Sequence, residues 1–239
     1  MDLSNIDSWV FDLDNTLYSP EEEIFSQIDK KMTEFIISKF NVNEEEAFNI
    51  QKKYFLEYGT TLSGLMKRKN IDPDEFLEFV HDINLEILKP NNKLTSIIEK
   101  LPGDKFVFTN GSKKHAENVI QQLQMNRVFD DIFDIKDSNF IPKPNINAYL
   151  SFIEKTKIKP ETSIMFEDIG RNLEPAKKLG MKTVLIKRKT PIQNKKFKTK
   201  DFESLWEDND FADCIIAVSY THLRAHETPE HLVCRLLLE

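Results

Sequence analysis

A short run of β-branched and aromatic residues over 8–11 stops abruptly at the polar sequence DLDNT. An apolar run of strand length ending this way is the pattern of a buried strand that leads into a functional loop. From Pro20 to about Pro90 the rhythm changes. Phe25, Ile28, Met32, Phe35 and Ile36 recur at three and four residues, the period of a helix with one apolar face, and Phe48, Phe55, Tyr58, Leu62 and Leu65 predict further helices. A last helix is announced by Asp72 as N-cap, Pro73 in the first turn and Glu75 three residues after the cap. Its apolar positions are Phe76, Phe79, Val80, Ile83 and Ile87.

Beyond Pro90 strand and helix alternate. Helices are expected over 94–101, 113–123, 146–156 and 171–179, the last closed by Gly180, and strands over 105–108, 132–135, 163–166 and 182–186. Such alternation predicts a parallel sheet covered by helices, with 8–11 as its first strand. The expected fold class is α/β, a Rossmann-like parallel sheet core over 1–18 and 91–217 with an inserted all-helical block over 19–90. Residues 187–200 carry seven basic residues with little apolar periodicity and read as a solvated loop. Residues 213–217 read as a final edge strand.

Composition narrows the function classes. In 239 residues, 40% hydrophobic and 31% charged residues suffice for a real core and exclude a disordered or collagen-like chain. A net charge of -7 argues against a nucleic-acid polymer or an acidic membrane as partner, so an anionic substrate must be held by a local device. The apolar stretches are too short to span a bilayer and the polar N-terminus is no signal peptide, so a soluble cytoplasmic protein is expected. Two cysteines, Cys214 and Cys234, make neither a disulfide framework nor a metal spacing. The segment 218–239 breaks with the composition before it and holds three of the five histidines. Back-translated, 218–228 resembles the end of a transposase sequencing adapter and 232–238 the flow-cell primer of the same chemistry. The segment is therefore read as a non-native tail, which sets aside His222, His226, His231 and Cys234 as ligands.

The candidate chemistry lies at the strand ends, where ligands bind in parallel sheets. The first strand ends in Asp12, Leu13, Asp14, Asn15 and Thr16, the second in Thr109, Asn110, Gly111 and Ser112, and a later one in Glu167 and Asp168. Lys143 arrives between Pro142 and Pro144, just before a helix. As many as four carboxylates then crowd together, which is unstable without a cation. A hard divalent ion with oxygen ligands is the natural solution, and Mg2+ is favoured because it accepts a few carboxylates plus substrate phosphate. The Thr109 hydroxyl, the backbone N–H groups of Asn110 and Gly111 and the Lys143 ammonium all suit phosphoryl oxygens. Singly, these residues could be turn caps, helix caps or solvated charges; their joint placement is what points to a site.

These motifs, in this order and spacing, resemble the haloacid dehalogenase superfamily. DxDxT matches Asp12, Asp14 and Thr16, the second motif Thr109, the lysine Lys143, and the acidic motif Glu167, Asp168 and Asn172. The resemblance covers residues 8 to about 187, and the inserted block sits where that family carries a helical cap of the first type. At finer grain VFDLDNTLY, YGTTLSGLM, VFTNGSKKHAENV, PKPNINAY and MFEDIGRNLEPAKKLGM resemble its pyrimidine 5'-nucleotidase branch. The resemblance implies a phosphomonoester hydrolase in which Asp12 is the nucleophile and Asp14 an acid and base whose pKa must be raised. It implies Mg2+ on Asp12, the Asp14 carbonyl and Asp168, with Glu167 as a direct or water-mediated ligand. Lys143 and Thr109 would hold the phosphoryl group, with Asn110 and Gly111 beside them. Tyr58, Thr60, Thr61 and His81 of the cap would select a small substrate such as UMP or CMP. The alternatives are small sugar phosphates or a broad phosphomonoester pool. A receiver-like regulator would lack Asp14 and the insertion, and a dead binding module would lose Asp12 or Asp14. His115 reads as a surface residue of its helix, and Arg171 as a solvent-facing one.

Overall fold

The computed structural model describes residues 1–19, 22–188 and 210–218. β1 (Ser8–Phe11) is buried at every position. Trp9 and Phe11 pack with Val107, Ile164 and Phe166 on one face, while Val10 joins Phe106, Phe108 and Met165 on the other. A strand buried on both faces reads as an unbroken apolar run. β1 pairs in parallel with β2 (Asp104–Phe108) on one side and β4 (Ser163–Glu167) on the other. With β3 (Asp131–Phe133), β5 (Lys182–Arg188) and β6 (Cys214–Val218), the sheet runs β3-β2-β1-β4-β5-β6, all parallel. The chain winds outward from β1 to β3 and returns to β4, so the order reverses beside β1, and the crevice of such a sheet opens at the carboxyl ends there. Phe11 stands opposite Val107 and Phe166 in register, which brings Asp12 level with Phe108 and Glu167.

Between β1 and the rest lie four helices, α1 (Ile24–Phe40), α2 (Glu44–Tyr58), α3 (Thr61–Lys69) and α4 (Pro73–Val80). Their starts follow the sequence. Asn43 and Glu46 form a reciprocal capping box, and Asp72 caps α4 ahead of Pro73 by accepting from the Asp74 N–H. Phe35 meets Phe76 edge to face at 5.1 Å and joins α1 to α4. The sheet is flanked by α5 (Asn92–Lys100), α6 (Lys113–Gln122), α7 (Ile146–Thr156) and α8 (Gly170–Lys178).

Three expectations about the ends of elements need correction, the first being the strand expected over 132–135, which is β3 and ends at Phe133. The helix from Asp72 stops at Val80, because His81 leaves helical geometry and the chain then returns to the core; Ile83 and Ile87 belong to that return segment. The basic loop begins later than 187, since Lys187 and Arg188 extend β5 against Ala217 and Val218 of β6. Val218, the first residue of the adapter-like segment 218–239, closes β6 opposite Arg188; the rest of that segment, the rest of the loop and Trp206 lie outside the described residues.

Candidate active site

Asp12 is the first residue past β1, and its N–H donates to the Phe166 carbonyl at 2.9 Å, which keeps it on the line of the strand. The chain then turns tightly: the N–H groups of Thr16 and Leu17 both donate to Leu13. Asn15 takes the left-handed conformation at φ 64°, which asparagine tolerates better than most residues. Through this turn the Thr16 hydroxyl donates to Asp12 Oδ2 at 3.2 Å. Asp14 Oδ1 accepts from the Tyr18 hydroxyl at 2.6 Å and lies 3.1 Å from His115 Nε2.

From β2 comes Thr109, whose Oγ1 accepts the Gly111 N–H at 2.9 Å, leaving the hydroxyl hydrogen to donate elsewhere. A Cβ on Gly111 would lie 3.3 Å from that Oγ1 and 3.4 Å from the His115 ring, so the smallest residue keeps this turn close to both. The Asn110 side chain clasps the Lys143 peptide, accepting its N–H at 2.8 Å and donating to its carbonyl at 3.2 Å. Lys143, 1% exposed, donates to Asp12 Oδ1 at 2.7 Å, Glu167 Oε1 at 2.8 Å and the Phe108 carbonyl at 2.8 Å. All three ammonium donors are engaged, so the lysine sits behind Asp12 instead of reaching past it. Glu167 also accepts from Asn172 at 2.6 Å and from the Ile169 N–H at 2.8 Å, which gives Asn172 a defined role in fixing this carboxylate.

Burial, helped by Glu167 and Asp14 and opposed by Lys143, holds the Asp12 carboxyl above its ordinary range, at about 7. Lys143 is buried too, but Asp12 and Glu167 outweigh that and hold its ammonium protonated well above the usual lysine value. Asp14 departs from the expected upward shift. Burial does push it up, yet the His115 charge and hydrogen bond and the Tyr18 hydroxyl together leave it below the ordinary aspartate value. His81 is pressed down to about 3 by burial and by His115, so its ring is neutral.

Asp12, Glu167 and Asp168 present carboxylate oxygens within 4.8 Å of one another, all buried. Three anions and one ammonium leave an excess of negative charge, and an all-oxygen donor set suits a hard divalent cation. Among the described residues this fit favours Mg2+ over a softer metal.

The inserted helices approach the site at one turn. Gly59, at φ 84°, lies against Pro142 and the Lys143 carbonyl, where a Cβ would stand 3.5 and 3.7 Å away. The Arg171 guanidinium stacks over Phe55 at 4.8 Å and makes a long 3.5 Å contact to the Gly59 carbonyl, so it joins α8 to the insertion instead of facing solvent. Thr60 caps α3 by accepting the Ser63 N–H, and Thr61 donates to the Gln51 carbonyl, so both hydroxyls serve the helices. Tyr58 accepts from Arg68 through its hydroxyl. His81 stacks on His115 with ring centroids 4.2 Å apart, its Nδ1 3.0 Å from Ser112 Oγ. His115, expected on the surface, is misplaced as well: it is 1% exposed and touches Asp14. Its spacing to Val119 and Leu123 was the available signal, because that stripe is the buried face of α6.

The model of the haloacid dehalogenase-like hydrolases matches residues 9–186, which takes in Asp12, Asp14, Thr109, Lys143, Glu167 and Asp168. The chain belongs to this family. Within it, the chain is 28% identical over 195 residues to phosphate metabolism protein 8 of Saccharomyces cerevisiae, covering 73% of this chain and 60% of the yeast protein. It is 28% identical over 221 residues to the glyceraldehyde 3-phosphate phosphatase of Methanocaldococcus jannaschii, covering 87% and 91% of the two chains. The crystal structure of a haloacid dehalogenase-family phosphatase from Thermococcus onnurineus shares the fold with a TM-score of 0.58 at 19% identity, covering 88% of this chain and 93% of that one. As a family member this chain is a hydrolase with an α/β, Rossmann-type core. Among the described residues no helix is long and apolar enough to cross a membrane.

Proposed function

We propose that this hydrolase is a Mg2+-dependent phosphomonoesterase that works through an aspartyl-phosphate on Asp12. The observation that carries the reading is the pairing of two differently held carboxylates: Asp12 clamped by Lys143 and Thr16, and Asp14, two residues on, held by Tyr18 and His115. Asp12, clamped by Lys143, attacks phosphorus, and the ester oxygen leaves with a proton from Asp14, which must take that proton up as the negative phosphoryl group enters beside it, against the His115 and Tyr18 bonds that favour its ionised form. Asp14 then takes a proton from water, whose oxygen attacks the aspartyl-phosphate and releases inorganic phosphate and free Asp12. Thr109 donates its hydroxyl hydrogen to a phosphoryl oxygen. Asp12, Asp168 and the Asp14 carbonyl would hold Mg2+, and Glu167 would add its charge. The ion supplies positive charge against the phosphoryl oxygens when bound.

For the substrate, the motif likeness to pyrimidine 5'-nucleotidases favours UMP or CMP, selected by the insertion acting as a cap near Tyr58 and His81. A second reading, a small sugar phosphate, is favoured by the archaeal glyceraldehyde 3-phosphate phosphatase, 91% of whose length this chain matches. Asp12→Asn should lower phosphate release by at least about a thousandfold with the fold intact, and EDTA should abolish the wild-type activity until Mg2+ is added back. Undiminished turnover in either case contradicts the reading. A panel of UMP, CMP, AMP, GMP, glyceraldehyde 3-phosphate and hexose phosphates separates the two substrate classes by kcat/KM.

A further inference from the structure

We propose that His115 positions Asp14 for proton transfer and that His81, from the return segment of the helical insertion, holds His115 in place. The inference rests on the phosphomonoesterase reading and adds to it a residue pair outside the family motifs. Both hydrogen bonds to the Asp14 side chain, from Tyr18 and His115, fall on Oδ1, so neither occupies Oδ2, the oxygen left to exchange a proton. A carboxylate gripped at one oxygen is restrained in rotation, and a proton transfer depends on that angle. Among the described residues His115 Nδ1 is buried with no partner, so the one side-chain hydrogen bond of this ring is the Nε2–H that it donates to Asp14. Among the described residues nothing hydrogen-bonds the far edge of that ring. It is held by its flat face, against the His81 ring at 4.2 Å and 10° between planes. His81 in turn is anchored to Ser112, which also caps α6 by accepting the His115 N–H at 3.3 Å. His81 is the residue at which α4 ends, so the orientation of the acid is tied to the seating of the insertion.

Leaving groups provide the test, because kcat/KM covers the steps only through departure of the ester oxygen. An alkyl phosphate such as a nucleotide or sugar phosphate needs a proton on that oxygen, whereas 2,4-dinitrophenyl phosphate expels a stable phenolate. His115→Phe keeps the stacked ring and removes the donor. Its kcat/KM should fall about a hundredfold on the best alkyl phosphate, and at least about tenfold less on the dinitrophenyl ester. His115→Gln, which restores an N–H donor, should recover part of the loss. His81→Ala should give the same dependence on leaving group, and His81→Phe, which restores a ring, should reverse it; this pair decides the matter if His115→Phe does not fold. Equal losses on both esters in folded variants overturn the proposal and leave the phosphomonoesterase reading standing. Wild-type protein that hydrolyses neither ester overturns both.

Discussion

Lys143 is a buried ammonium whose three donors all end on core acceptors, two of them carboxylates. Such a group is held by its partners, and they by it, so Lys143→Met leaves Asp12 and Glu167 as uncompensated buried charges. That variant should lose about 3–5 kcal/mol of stability by urea unfolding, far more than a surface lysine, whose removal costs under about 1 kcal/mol. His81 makes a second prediction at this scale. In the fold its ring binds no proton until about pH 3, whereas in the unfolded chain it does so near 6.5. Between those values the unfolded state binds more protons, so stability falls as pH falls from 6.5 toward 3. His81→Phe should therefore lose less stability than wild type between neutral pH and about pH 5, followed by urea unfolding at each pH; identical pH dependence of the two proteins contradicts the assignment. The groups facing this ring are His115 and, beyond it, Asp14, and both are retained in the variant.

At the scale of elements, what could be read depended on whether local signals and tertiary packing agreed. β1 was legible to the residue because an apolar run buried on both faces ends at the first polar side chain. α4 was predicted too long, since Ile83 and Ile87 continue the helical spacing although His81 has already turned the chain toward Ser112. His115 was misread for the opposite reason: a histidine looks solvent-facing by type, although its spacing to Val119 and Leu123 puts it on the buried face of α6, where it meets Asp14. Asp12, Asp14, Thr109, Glu167 and Asp168 could be singled out as candidates because they follow strand ends and Lys143 because it precedes a helix between two prolines, whereas Thr60 and Thr61 were placed by motif likeness and are engaged within the insertion. The insertion makes its own test. A Cβ on Gly64 of α3 would lie 2.3 Å from Tyr54 Cβ of α2, so the two helices pack at a distance that only glycine allows. Gly64→Ala should destabilise the protein by about 1–3 kcal/mol, although alanine has the better helix propensity. A stabilising effect in thermal unfolding contradicts this packing.

For the whole molecule, a six-stranded parallel sheet gathers strand ends from distant parts of the chain at one crevice, and under the proposed function a net charge of -7 is compatible with an anionic substrate because Thr109 and the proposed cation would act locally. The central claim is that Asp12 carries the phosphoryl group between the two halves of the reaction. Acid quenching during turnover with the best phosphomonoester, followed by borohydride reduction and peptide mapping, tests it most directly. The expected result is conversion of Asp12 to homoserine in the peptide containing Ser8–Phe11, absent without substrate. Rapid phosphate release with Asp12 unmodified at every quench time, and with turnover retained in Asp12→Asn, would contradict the account.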